Sequence, residues 1–344
     1  MEASTLEGPI RAGRTPANND IDLAFAMLEW HHLEDHHREA DMNLNALRNF
    51  IAVVEAGAIR EAADTLHLAQ SALSRQILAL EREFGAQLLE RLPRGVVPTP
   101  AGRVVLRHAR LTLDQMNGAR EEIAAFAGLR TGQIRIGAIE PFASGPLAAC
   151  ISRFQARYPG IGVEARVGNS RQVARLVQEG IVELGIAYNA PRAEGLAVRA
   201  AARQPLVALV RPGHDLAEQD AVRLADLAGA RLILPPAGSP TRLLIEEAAR
   251  RARLILEQVA LESDSVALRL AVAARTEGVA ILAHLSGVAA CAAGTLTMRP
   301  LADPLLGAGQ LELLCGTGRT LSKATAAFER RLRTALKAVD QPPP

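Results

Sequence analysis

Gln70, Ser71, Ser74 and Arg75 bring an amide, two hydroxyls and a guanidinium into one short run. Side chains of these types hydrogen-bond to base edges and phosphate oxygens, so their grouping points to contact with nucleic acid in a major groove. The segment that must position them is Ile59 to Leu78, IREAADTLHLAQSALSRQIL, which reads as two short helices joined by a tight turn. Ala62, Ala63 and Leu66 give the first helix a small apolar face. Leu73, Ile77 and Leu80 recur at helical spacing as the inward stripe of the second and leave the polar residues facing outward. Small alanines let two helices cross closely, as a helix-turn-helix requires. An ordinary surface pair of helices would show the same stripe, so the flanking segments decide between them.

Upstream, Leu44, Leu47, Phe50, Ile51 and Val54 form a helical stripe that Gly57 ends. Downstream, the recognition helix Gln70–Phe84 closes at Gly85, and LLERLPRGVVPTP reads as a β-hairpin wing turning at Pro93–Gly95. Arg91 and Arg94 at its tip are placed to touch backbone phosphates beside the groove. Thr99-Pro100 starts a further helix, with a capping hydroxyl and proline in the first turn, running to about Leu129. Ala109, Met116, Ala119, Ile123 and Phe126 form an apolar seam along it, interrupted by Thr112. Such a seam suits pairing of two helices between subunits, a packed core helix being the alternative.

The run from Phe50 to Gly102 resembles the DNA-binding end of a LysR-type transcriptional regulator. The likeness is carried by SRQI at Ser74–Ile77, Glu90-Arg91 in the wing, the Arg94-Gly95 turn and TPAG at Thr99–Gly102. Three positions depart from the family's habit: Ala69 where Ser is common, Ser71 where Pro is common and Leu89 where Phe is common. They bear on the cap of the recognition helix and on local contacts, not on the fold.

After a hinge at Leu129–Gly132 the pattern changes to short strands alternating with helices, which indicates α/β architecture with a largely parallel sheet. One series of strands (Ile134–Ala138, Ile161–Val167, Val182–Ala187) is followed by a second (Leu206–Val210, Leu232–Leu234, Val259–Leu261, Val279–Leu282). A last strand at Leu311–Cys315 precedes a helix from Lys323 to about Val339. Two similar lobes imply a cleft between them. The layout is similar to the effector domain of the same family, which resembles a two-lobed periplasmic binding protein of type 2.

The expected organisation is therefore a disordered leader over 1–41, a winged helix-turn-helix over 42–102, a linker and dimerisation helix over 100–129 and a two-lobed effector domain over 133–340. The leader ends in a cluster of His31, His32, His36 and His37 with no matching ligand set downstream. Met42 opens a segment that reads as a natural start, so the leader is expected to be an upstream addition.

In open α/β sheets ligands sit beyond the carboxyl ends of strands, where helices begin. Ser144, Asn169, Ser170, Ser239, Thr241 and Ser265 fall at such points, and Glu140 and Tyr188 end strands. Several helix N-termini facing one cleft favour an anion, a carboxylate being the first candidate. Taken singly, each hydroxyl or amide residue reads as a plain helix cap; together, two or three would both cap and bind, while Tyr188 could be a partly exposed loop residue.

The composition bounds these readings. With 344 residues, 49% hydrophobic and 22% charged, the chain can fill more than one core. A net charge of +2 gives no global nucleic-acid signature, so any basic surface must be local. The excess of 37 Arg over 2 Lys runs through the whole chain and carries little weight. Cys150, Cys291 and Cys315, widely spaced and without a CxxC pair, suit a reducing compartment rather than a disulfide framework or a zinc site.

No phosphate loop, HExxH helix or GxSxG elbow is present, and neither His214 nor His284 has a partner legible in the sequence. The expected protein is a cytoplasmic, DNA-binding transcriptional regulator acting as a homodimer or homotetramer. It binds promoter or operator DNA and a small-molecule effector, with no catalytic residue, cofactor, metal or membrane partner. The alternative is a stand-alone binding protein or enzyme on the two-lobed fold, against which the winged unit argues.

Overall fold

The computed structural model describes residues 44–93, 95–126, 132–256 and 258–341, with the side chains at 121, 122 and 124–126 left out. The leader 1–41, its histidines, Met42, Arg94, the Phe126 side chain and most of the hinge lie outside the described residues. The chain divides into two units, Met1–Gly102 and Arg103–Pro344, with the boundary inside one long helix.

Among the described residues the first unit holds three helices and a hairpin: α1 (Leu44–Ala56), α2 (Ile59–Leu66), α3 (Gln70–Glu83), β1 (Leu89–Leu92) and β2 (Gly95–Pro98). Its core is Leu47, Phe50, Val53, Ala62, Ala63, Leu73, Ile77, Leu80 and Leu88. On α1 the buried stripe is therefore Leu47, Phe50 and Val53, while Ile51 and Val54 are only half-buried. The face is rotated because Asn49 also turns inward, where its amide donates to Gln76 Oε1 on α3.

The turn between α2 and α3 passes through His67 in the left-handed region, whose N–H closes on the carbonyls of Ala63 and Asp64. Glu81 of α3 accepts from the N–H groups of Leu88 (2.8 Å) and Leu89 (3.1 Å), which pins the wing to the recognition helix. Thr99 Oγ accepts from Gly102 N at 3.0 Å and donates to Gln87 O at 2.7 Å. A side chain at Gly102 would run into the Leu88 carbonyl, so glycine is required there by close backbone approach.

The second unit begins within α4 (Pro100–Phe126) and contains two five-stranded sheets. The first is ordered β4 (Ile161–Val167), β3 (Gly132–Ala138), β5 (Leu184–Tyr188), β12 (Gln310–Gly316), β6 (Leu196–Arg203). The second is ordered β11 (Thr297–Pro300), β7 (Leu206–Val210), β10 (Gly278–Ala283), β8 (Arg231–Leu234), β9 (Val259–Glu262).

Both sheets are mixed, which corrects the expectation of a largely parallel sheet. β3 runs parallel to β4 and β5, but β12 is antiparallel to β5 and β6. In the second lobe β8 is parallel to β9 and β10, and β7 antiparallel to β10 and β11. An apolar strand pattern reports burial on both faces but not direction, which the connections set. Here the chain passes to the second lobe after β6 and returns through β12.

Helices α5 (Ala148–Arg157), α6 (Ser170–Gln178), α7 (Pro240–Arg251), α8 (Val266–Ala273), α9 (His284–Ala292) and α10 (Lys323–Val339) cover the sheets. α9, β6 and β11 have no counterpart in the expected pattern; the solvent-facing β6, LAVRAAAR, lacks the continuous apolar run of its neighbours. Phe154, Phe328, Ile134, Ile136, Leu184 and Ile186 are fully buried, and the two phenylalanine rings meet edge-on at 5.1 Å.

The linker helix is tied to this lobe by charge. Arg110 donates to Glu179 O at 3.1 Å, and Asp114 pairs with both Arg135 and the buried Arg319. Glu183 accepts from Arg135 N and Thr325 Oγ, each at 3.1 Å, and burial raises its pKa from the usual value.

Candidate DNA-binding face and effector cleft

In the first unit Gln70, Ser71 and Arg75 stand exposed on the first turns of α3, above the buried Leu73 and Ile77. Ser74 is half-buried in a groove between α3 and the wing, with Arg91 among the groove's lining residues. The N-cap of α3 is Ala69, which makes no side-chain cap bond, so the usual capping hydroxyl is missing rather than shifted. The first N–H groups of this helix therefore lack a side-chain acceptor.

In the second unit a cleft of about 490 Å³ opens between the lobes. Four helices and one shorter helical stretch begin at it. Asn169 caps α6, accepting from Gln172 N at 3.0 Å while Gln172 Oε1 accepts from Asn169 N at 2.8 Å. Ser239 caps α7, accepting from Arg242 N, and Ser265 caps α8, accepting from Leu268 N, both at 3.2 Å. Ser170 Oγ accepts from Tyr188 N at 3.0 Å, which leaves its own hydrogen free for another partner. The remaining starts, at Glu140 and at Ala283-His284, have no side-chain cap.

Arg171, on the first turn of α6, donates across the cleft to Gly238 O in the second lobe. Apolar side chains fill the wall between them: Ile139, Pro141, Val167, Pro235, Val266 and Leu282. One charged group is buried among them. Arg269 of α8 is only 5% exposed, and among the described residues neither its Nε nor its Nη1 has a hydrogen-bond partner. Burial lowers its pKa to about 10, opposed by the charges of Asp264 and Glu140. It remains a cation at neutral pH.

Comparison with known proteins assigns both units. Residues 44–103 match the family model described as bacterial regulatory helix-turn-helix protein, lysR family. Residues 127–337 match that of the LysR substrate binding domain. The chain belongs to the LysR family of transcriptional regulators.

The regulator is 32% identical over 296 residues to the SDS degradation transcriptional activation protein of Pseudomonas sp. (strain ATCC 19151), covering 83% of this chain and 94% of that one. It is 33% identical over 204 residues to the RuBisCO operon transcriptional regulator of Allochromatium vinosum, covering 58% of this chain and 66% of the relative. Among solved structures, a full-length OxyR variant from Pseudomonas aeruginosa shares the fold at a TM-score of 0.67 and 20% identity, covering 88% of this chain and 99% of that one. A free-standing binding protein or enzyme on the same fold is thereby set aside.

Of the cleft residues named from the regulator's sequence, Asn169, Ser170, Tyr188, Ser239, Thr241 and Ser265 line the cleft. Ser144 does not, and is corrected. The expected helix start at Gly145-Pro146 lies inside a longer helical run that begins at Glu140 with Pro141 in its first turn. A π-helical stretch, Ala143–Leu147, absorbs Pro146, and Ser144 bonds back to Glu140 O at 3.0 Å with its side chain exposed. The proline at the helix entry is Pro141, five residues before Pro146.

Tyr188 contributes strand-end surface, not its hydroxyl. That hydroxyl is buried, donates to Gln204 O at 3.1 Å, and is shifted by burial to above its ordinary pKa. Arg269 was missed by sequence reasoning. It lies mid-helix in VALRLAVA, and its only signal was a lone cation within an apolar run. Among the described residues no group of three His, Cys, Asp or Glu side chains could hold a metal. No helix among them is long and apolar enough to cross a membrane.

Proposed function

We propose that this LysR regulator reads promoter DNA through Gln70, Ser71, Ser74 and Arg75, with Arg91 and Arg94 clamping phosphates. The observation that carries the reading is the exposure of Gln70, Ser71 and Arg75 directly above the buried stripe of the same helix. Their side chains are free to reach base edges without disturbing the core. The protein works as a homodimer or homotetramer in the cytoplasm. Pairing uses the α4 seam, where Met116 and Ile123 are exposed at 40% and 67%. A two-fold assembly holds two recognition helices about one DNA turn apart.

The effector is a small anion held between the lobes, supported by the helix N-termini at Asn169, Ser239 and Ser265 and by the hydroxyls of Ser170 and Thr241. Binding it changes promoter activity. Genomic footprinting of the tagged regulator tests the DNA reading: preferred sites with two related half-sites are expected, and uniform occupancy overturns it. In vitro, affinity should fall steeply with salt, as phosphate contacts require.

A further inference from the structure

Arg269 is an anomaly for a folded core. Guanidinium groups that are buried are paired or hydrogen-bonded, because an unpaired one forfeits its hydration for nothing. Among the described residues its Nε and Nη1 have no hydrogen-bond partner, and it forms no ion pair with Asp264 or Glu140, although both charges act on it. It sits on the first turns of α8, whose start at Ser265 opens on the cleft, and it lines that cleft itself. By contrast the serine caps are already engaged: Ser239 and Ser265 each accept a backbone N–H of their own helix. Arg171, the other cation lining the cleft, is occupied by Gly238 O.

We propose that Arg269 is the anchor of the effector, taking one carboxylate onto its unbonded N–H groups while the apolar walls receive an uncharged body. The inference rests on the cleft being the effector site, as argued above. A single negative charge fits because Glu140 and Asp264, both lining the cleft, would repel a second. A carboxylate would offset the lost hydration of the buried guanidinium, and the serine caps shape the pocket without supplying its charge.

The test is thermal unfolding of the full-length protein and of Arg269→Met. The probes are propionate, benzoate and succinate, set against propionamide, benzamide and sodium chloride at matched ionic strength. Without ligand, Arg269→Met should melt higher than the wild type, since methionine fills the space without a stranded charge. The monocarboxylates should raise the wild-type midpoint more than their amides or succinate do. Their apparent affinity should drop about 10–100-fold in Arg269→Met.

A lower melting point for unliganded Arg269→Met shows the residue to be structural and overturns the proposal. Equal stabilisation of both proteins by the acids, lost in Thr241→Val with Ser239→Ala, overturns the anchor but leaves the cleft reading standing. If no acid outperforms its amide, the anionic cleft and its anchor both fall. Succinate binding more tightly than propionate removes the single-charge selectivity.

Discussion

Along α3 the polar residues Gln70, Ser71 and Arg75 stand in solvent above buried Leu73 and Ile77, whereas in the cleft the charged group, Arg269, is buried and unbonded. The first arrangement costs almost nothing to maintain, since water solvates these exposed donors. The second holds a cation away from water at a free-energy cost, which a ligand can repay. A flat face that must meet a long, charged polymer can stay hydrated. A pocket that must recognise a small molecule needs a group already stripped of solvent.

The comparison breaks first if the two units do not fold separately. Leu73→Ala removes a fully buried side chain from the first unit and should cost about 2–5 kcal/mol there. Calorimetry should show the transition of the DNA-binding unit lowered and that of the effector unit unmoved; a shared shift contradicts two separate cores. Asp114→Asn strips the carboxylate from Arg135 and from the buried Arg319, and should cost about 3 kcal/mol in the second unit alone. Denaturant midpoints of that variant would reveal the loss, and a change below measurement error would mean that the pair is solvent-screened.

On the exposed face the effects are smaller and selective. Arg75→Ala should lower affinity for cognate DNA by about 1–3 kcal/mol and barely touch random DNA, while Arg91→Ala weakens both and shallows the salt slope by about one unit. Titrations at several salt concentrations separate the two, and matching losses on both DNAs would reverse the assignment of base reader and phosphate clamp. In the cleft, Ser265→Ala should cost about 0.5–2 kcal/mol of stability through its cap, with DNA affinity in the absence of effector unchanged.

The smallest effect is a slope. Burial raises the pKa of Glu183, so the folded protein holds that proton to higher pH than the unfolded chain does. Its contribution to stability therefore falls as pH rises from 4.5 through the raised value. Glu183→Gln should flatten that part of the stability profile, and an unchanged slope would assign it to other groups.

The amino-acid sequence by itself determined the winged unit. Its core stripe, its turn residues and its exposed polar run lie within about one helix of each other, so local periodicity and spacing contain the information. The starts of α6, α7 and α8 were legible for the same reason, because a cap is a contact between near neighbours in the chain. The start expected after Ser144 is not the one used: the helical run begins at Glu140 with Pro141 in its first turn, and Ser144 lies outside the cleft. The direction of β12, the rotation of α1 around Asn49 and the burial of Arg269 depend on segments far apart in sequence. Hydrophobic pattern records whether a side chain leaves water, but not which distant groups it then meets. For a lone arginine on an apolar helix, that meeting is what separates a solvated surface charge from the unpaired cation that the tertiary fold has made of it.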